Sequence, residues 1–518
     1  MLTAAEQKRA TRPRKTRKCF VLLRAQRHAW LDADLQPTRA HSSSPAPGGH
    51  APVEAGLLAR ATLLQASWHV GDRDAGELPV LDTRWPMGLD GLGAAPPPVS
   101  QGPRLHCRRR LITHPWDQPR LARTGAVAEP SGGVGARPRR AVLDSPPLWG
   151  AGRVEAPLPL LGHARRQAVG LAAPALGTAA EVVGEAAGLP LVGHRSLKAA
   201  LALAWGEPRA RSRARGVVLE EGPPWPCGLE PQQTLVAQPP PPQEVRETIT
   251  PRRTPDPAPA PEGGPGGRRL KPHVAPDRRL SLEDRARRHG RTSRATTCNG
   301  FNEPGAVEVE SPVTREGGGR PAHEPEPAAV ARLAEAWEQA PGLRPRAIAL
   351  GDLARPRMAP GAAQGVSMIA RPWPQGGPLG TKHAVTWDFV GREGTGPGGP
   401  SLPMVPGKPA QLPATAGDAC AWRAQGTKAT HGQGTSVSLR EDEPGQPKRR
   451  APMKTPRGRA SLRQRTAVAH TIAPQWVQQG RRARDKGLRK HQFDGRRHAA
   501  VSNLQIAARY EEEHRLAS

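Results

Sequence analysis

The chain has 518 residues, with 76 Lys and Arg against 46 Asp and Glu, giving a formal net charge of +30. That length admits two or three domains, and the charge points to an anionic partner, with DNA or RNA first. Aromatic residues make up 3% of the chain (12 Trp, 4 Phe, 1 Tyr) while Pro and Gly number 61 and 57. This is the composition of a weak core with Pro/Gly-rich disordered segments. Five scattered cysteines, Cys19, Cys107, Cys227, Cys298 and Cys420, give no disulfide framework. No apolar run reaches the roughly 18 residues of a membrane span, and the basic start lacks the apolar stretch of a signal peptide. The expectation is a soluble, cytoplasmic, nucleoid-associated protein with no membrane partner.

In chain order, residues 1–50 hold a basic run from Lys8 to Lys18, then Ser-, Pro- and Gly-rich sequence from His41 to Gly49. They predict a disordered basic arm, with a structured DNA-reading element as the alternative. From Glu54, the residues Leu57, Ala61, Leu64 and Trp68 recur at helical spacing, and the resemblance given below extends this into a helical domain over 51–129. The run Arg139-Arg140-Ala141-Val142-Leu143-Asp144 is a short apolar stretch ending in a carboxylate, as a buried strand delivering Asp144 to its C-terminal edge would be. Leu160, Leu161, Ala164, Ala168 and Leu171 predict one helix face; Leu197, Leu201 and Trp205 predict another, with Ser196 as N-cap. His163 and His194 read as surface or packing residues. The prolines from Pro239 to Pro242 and the stretch Pro255–Gly267 read as linker.

Further on, Arg287, Arg288, Arg291 and Arg294 are either phosphate contacts or a solvated charged loop. A helix is predicted over Ala328–Gln339 and a short strand over 346–351. Near the end, Arg481, Arg482, Arg484, Lys486, Arg489, Lys490, Arg496 and Arg497 form a cationic strip suited to a phosphate backbone. The sequence then turns apolar at Val501, Leu504 and Ala508, one face of a helix that can pack.

Several of these stretches carry a resemblance. The run GRRARDKGLRKHQFDGRRHAAVSNLQ resembles the carboxy-terminal signature of bacterial insertion-sequence transposases of the DDE class. The words from Glu54 to Gly93 are similar to the helical amino-terminal domain of those enzymes, SPPLWGAGRVE (Ser145 to Glu155) to the phrase after their first catalytic Asp. Ser281 to Glu316 and Val366 onward continue the match. The resemblance implies an α/β fold: an RNase H-like mixed sheet flanked by helices, over 138–513, with an inserted helical and linker region at about 160–285. It further implies DNA cleavage and strand transfer with Mg²⁺ or Mn²⁺, double-stranded DNA partners (element ends and target), and a homo-oligomer on DNA.

Phosphoryl transfer of this kind needs carboxylates, because hard cations take oxygen ligands and two of them clamp the attacking and leaving oxygens. The family's first Asp matches Asp144, which would be the metal ligand. Its second Asp and its Glu fall on Ala349 and Ala469. Asp352 lies three residues past Ala349, off the same strand face, and does not substitute. Cys420 stands alone where the family often has several cysteines, so no zinc site is expected. With two of three ligands reduced to methyl groups, cleavage should fall by several powers of ten, since positioning and charge neutralisation are most of the catalysis.

The departures share a pattern. Gly317-Gly318-Gly319 for Val, Cys298 for Phe, Asp352 and Asp485 for Tyr, and His491 for Asn are each reachable by one A→C or T→G change. The expectation is a decayed or misread copy of an intact transposase, to be decided by resequencing the carboxylate codons. Two other readings compete: a non-catalytic, partly disordered basic nucleic-acid binder, and a translated non-coding frame. The ordered resemblance over roughly residues 50–518 speaks against the last.

Overall fold

A computed structural model describes residues 3–10, 19–25, 53–92, 99–114, 116–129, 140–155, 157–186, 278–291, 297–324, 346–350, 367–369, 372, 385–396, 401–404, 409–412, 435–437, 446–463 and 480–517. The expected helices over 187–206 and 328–339, the linker segments, Arg294, Asp352, Cys227, Cys420 and Ala469 lie outside them. What is described is mixed α/β. Helices are α1 (Ala4–Ala10), α2 (Cys19–Ala25), α3 (Ala55–Trp68), α4 (Asp74–Leu81), α5 (Arg84–Gly88), α6 (Gln101–Thr113), α7 (Asp117–Ala128), α8 (Pro157–Ala175), α9 (Ala180–Ala186), α10 (Gln446–Met453) and α11 (Leu488–Ala517). None is long and apolar enough, among the described residues, to cross a membrane.

Two sheets matter for the site. In the first, β1 (Arg140–Asp144) lies at the centre of the order β6-β5-β1-β8-β9. On one side it pairs antiparallel with β5 (Gly305–Glu308), which forms a hairpin with β6 (Thr314–Gly317). On the other it pairs parallel with β8 (Ala347–Leu350), itself parallel to β9 (Ser367–Ile369). In β1, Ala141, Val142 and Leu143 are buried, as a central strand covered on both faces requires. The second sheet joins β2 (Pro147–Trp149), β3 (Arg288–Arg291), β4 (Thr297–Asn302) and β7 (Arg320–Pro321). Strands β10 (Thr386–Asp388), β11 (Glu393–Thr395) and β12 (Ser401–Pro403) form a small antiparallel sheet, and β13 (Ala410–Leu412) pairs antiparallel with β14 (Thr435–Val437).

The main core is helical and draws on both ends of the described chain. Leu64 and Ala61 of α3 are buried with Leu57 and Trp68 packed against them, the face the spacing predicts. Val501, Leu504 and Ala508 of α11 join the same cluster, together with Leu121 of α7 and Trp85 of α5. Trp85 meets Trp68 edge-on at 6.3 Å between ring centroids. The disordered arm expected for residues 1–50 needs correction. Its described parts are helical, and Cys19, Phe20, Leu22 and Leu23 of α2 are buried in this core. Four consecutive apolar residues, Phe20 to Leu23, outweigh the basic flanks because burying such side chains is worth about 1.5–3 kcal/mol each. Helix α8 also departs from expectation: Leu160, Ala164, Val169 and Ala173 are buried whereas Leu171 is exposed.

One side chain stitches α11 to the first sheet. Asn503 is fully buried, and its Oδ1 accepts from the backbone N–H of Thr314 at 2.8 Å while its Nδ2 donates to the Thr314 carbonyl at 2.9 Å. The amide thus imitates a neighbouring strand at one residue of β6. Truncation would take both of these hydrogen bonds from the buried backbone of Thr314, and a bond lost by a buried polar group costs about 1–3 kcal/mol. Asn503→Ala is expected to lower unfolding stability by about 2–4 kcal/mol, read as a shift of the urea midpoint with unchanged slope.

Candidate nucleic-acid interface

Asp144 closes β1 at the edge of the first sheet, half-buried, with Ser145 N–H donating to its Oδ1 at 3.0 Å. In the parallel pair, Val142 stands beside Ala349. Side chains alternate along a strand, so Asp144 and Ala349 share one face of the sheet, as diagonal neighbours about 7–8 Å apart. The two positions separated in sequence are therefore brought together, while Ala469 lies outside the described residues.

The surroundings of that face do not make a metal site. Ala349 is packed in an apolar cluster with Val142 and Val307. Among the described residues no group of three or more His, Cys, Asp or Glu could hold a cation. Among the described residues the donor set therefore does not fit the Mg²⁺ or Mn²⁺ implied by the resemblance, since Asp144 supplies one carboxylate and Ala349 a methyl group.

The cationic strip divides into two parts. Arg489, Arg496 and Arg497 turn inward. Arg489 and Arg496 both reach the buried carboxylate of Asp117, at 3.0 Å and 3.1 Å respectively. Arg496 also pairs with Glu316 at 3.2 Å, and Arg497 is bonded to Asp494 and to Gln65. These three stabilise the fold rather than present charge outward. Lys486 is exposed but paired with Glu283. Arg481, Arg482, Arg484 and Lys490 are exposed.

The outward half is fixed by backbone hydrogen bonds to β2. Trp149 N–H donates to the Arg481 carbonyl at 2.9 Å, and Ala483 N–H donates to the Trp149 carbonyl at 2.7 Å. Residues 481–483 thereby form a parallel bridge to the strand that follows Asp144. Ala483 is buried against Leu148 and Phe301, which leaves its neighbours Arg482 and Arg484 in solvent. On the far side, Gly487 N–H donates to the Asp284 carboxylate at 3.2 Å, placing a negative charge at the start of α11, where it is favoured.

Arg287, weighed as a phosphate contact, is buried and serves the loop after β2 instead. Its guanidinium donates to the carbonyls of Ala151, Gly152, Arg153 and Asn299 at 2.9–3.2 Å. Gly150 permits this, since a Cβ there would sit 2.6 Å from the Arg287 Nε. Arg288 donates to the Arg285 and Arg287 carbonyls, and Arg291 is exposed.

These elements enclose an open cleft of about 530 Å³, lined by Trp149, Gly150, Gly152, Arg153, Val154, Arg287, Arg481 and Arg482. It contains four guanidinium groups and no carboxylate in its lining. Trp149 and Arg153 were not singled out by sequence reasoning. The available signal was the alternation in β2: Leu148 is 2% exposed and faces the core, so Trp149, one residue on, is turned out and 40% exposed.

Behind the strip is a titratable cluster. His69, in the left-handed conformation that closes α3, stacks on His498 with ring centroids 5.3 Å apart. Burial, more than the opposing pull of Asp494, lowers the His498 imidazole to about 4, with Arg497, His69 and Arg484 adding repulsion. Asp494 is brought down to about 2: burial works against its charge, but Arg497, His498 and Arg108 outweigh it.

No family model matches the sequence, and no curated protein and no solved structure matches it.

The sign of the histidine's effect on stability follows from its shift. The folded value lies below the unfolded one of about 6.5, so the unfolded chain takes up the proton first as pH falls. This contribution is fully present above pH ~6.5 and is lost as pH drops toward 4. Urea titrations are expected to show a loss on the order of 2–3 kcal/mol across that window, with a flatter profile for His498→Gln.

Proposed function

We propose that this chain is a transposase-derived, RNase H-like protein that binds nucleic acid through the cleft at the end of β2 and does not cleave it. What supports an RNase H-like reading is the mixed sheet, with β1 at its centre between an antiparallel hairpin and two parallel strands. That sheet also puts Asp144 and Ala349 on one face of neighbouring strands, as a pair of ligand positions would require. What supports binding is the union of two stretches that resemble the same transposases. The phrase after Asp144 and the cationic strip, more than three hundred residues apart, are hydrogen-bonded to each other at Trp149 and Ala483.

The chemistry available to the site is attraction and orientation. Exposed guanidinium groups at Arg153, Arg481 and Arg482 neutralise phosphates and release their counterions, which gives affinity without sequence preference. Arginine suits this because its planar fork presents paired donors to two phosphate oxygens. Arg482 is held in place by a bond from its guanidinium to the Gly152 carbonyl at 3.0 Å. The single observation that carries the reading is this cleft at the end of β2, where Arg153, Arg481 and Arg482 are exposed and the lining holds no carboxylate.

Two outcomes are expected of the purified protein. Affinity for duplex DNA falls linearly with the logarithm of salt concentration, and replacing Arg153, Arg481 and Arg482 by Ala reduces that slope by about 1 for each phosphate no longer neutralised. With Mg²⁺ or Mn²⁺ added, supercoiled plasmid carrying the element ends stays intact. Metal-dependent nicking that disappears in Asp144→Ala would overturn the non-cleaving half of the proposal, and salt-insensitive or absent DNA binding would overturn the other half.

A further inference from the structure

The cleft has one component that duplex phosphates do not use. Trp149 is 40% exposed and Val154 45% exposed, and they stand beside Arg153, Arg481 and Arg482. Exposure of an indole at this place follows from the backbone. The strand alternation turns Leu148 inward against Phe301, and the bridge to residues 481–483 holds Trp149 by both its N–H and its carbonyl. Its ring is paired with no other aromatic ring among the described residues, whereas Trp68, Trp85 and Trp116 each have a ring partner. A fixed, solvent-facing aromatic surface among guanidinium groups has the makings of a platform for a nucleobase: one π-face for the base, charged forks for the phosphates on either side of it.

From this juxtaposition we infer that the cleft binds an unpaired nucleotide, with its base stacked on Trp149 and its flanking phosphates held by Arg153, Arg481 and Arg482. The occupant is thus a single-stranded segment, such as a frayed or overhanging DNA end, in preference to the closed duplex. A base inside a duplex has both faces covered by its neighbours and cannot present one to the indole. Charge complementarity favours this occupant, since the lining residues include no carboxylate; Glu283, an acidic side chain within electrostatic reach of Arg153, is already paired with Lys486.

This inference rests on the nucleic-acid reading above, and the experiment separates the two. The full chain is titrated, with divalent metal chelated, against a single-stranded oligonucleotide, a duplex with an unpaired overhang and a blunt duplex of the same length. Binding is read by anisotropy of a dye on the DNA, and tryptophan emission is recorded in parallel. Trp149→Ala is expected to weaken the single strand and the overhang by about tenfold or more, in line with the loss of one stacked base. The blunt duplex should change by less than about twofold, since phosphate contacts alone hold it. Trp149→Phe should retain most of the affinity, and the quenching of emission seen on adding single strand should vanish in Trp149→Ala. As the indole is solvent-exposed, both variants should keep the parent's circular dichroism and urea midpoint, which is checked first.

If blunt duplex binds in a salt-dependent way but Trp149→Ala loses nothing on unpaired DNA, stacking is refuted and the cationic interface stands. Equal losses on all three DNAs refute it as well, because they assign Trp149 to general shape rather than to a base. If the parent binds none of the three, the nucleic-acid reading falls with it. Equal affinity for polyglutamate and single-stranded DNA would make the cleft a general polyanion site, and the base-specific part would then be discarded.

Discussion

Asp117 ties the last helix to the helical amino-terminal region through a buried ion-pair cluster. Its carboxylate is buried at the start of α7 and receives two guanidinium groups from α11, Arg489 and Arg496, about two turns apart. Arg496 continues to Glu316 and the Gly317 carbonyl of β6, and Arg489 to the carbonyls of Leu111 and His114. The helical amino-terminal region, the sheet hairpin and the last helix are thus locked in register by one buried charge cluster. Two cations facing a lone buried carboxylate would repel each other. Glu316 completes the balance, and the attraction of Glu316 and Asp117 outweighs the desolvation that opposes the charge on Arg496. Breaking such a network at one member leaves the others uncompensated, which is why networks of this kind enforce one arrangement even where they add little net stability.

That arrangement also determines which arginines can meet a ligand. A strip that reads as one cationic surface in sequence is divided by the helix start at Gly487. Before it, the chain is extended, and Arg481, Arg482 and Arg484 point outward around the buried Ala483. After it, helical periodicity carries Arg489, Arg496 and Arg497 onto the side that packs against α7 and α3. Charge density alone therefore overstates the binding surface. The change in backbone geometry, and not the number of basic residues, decides which of them remain available.

How much of this was legible in the sequence varies with the physical signal. The helix faces at Leu57, Ala61, Leu64 and Trp68 and at Val501, Leu504 and Ala508 were readable because both periodicities are local and apolar. The strand ending in Asp144 was readable for the same reason. The burial of α2 was missed because the weight of flanking Lys and Arg obscured four apolar residues. Trp149 was missed because its importance comes from a bridge to residues far along the chain, which no local pattern contains. Likewise, the inward turn of Arg489 and Arg496 depends on a partner, Asp117, that is visible only once the helices are packed. The apolar pocket around Ala349 was implicit in the residue itself: a methyl group at a strand position fits among valines.

The union of α2, α3 and α11 in one core also has a consequence in time. During synthesis, the apolar faces of α2 and α3 leave the ribosome more than four hundred residues before the helix that covers them. At rates of about 5–20 residues per second, those faces wait tens of seconds for Leu504 and its neighbours. A topology so rich in distant pairings forms slowly, and its nascent form shows bare greasy surface to chaperones throughout that interval. The cationic cleft, whose wall is residues 481–483, is assembled in the same late moments, so the binding surface proposed above would be complete only once the last helix has closed over α2 and α3.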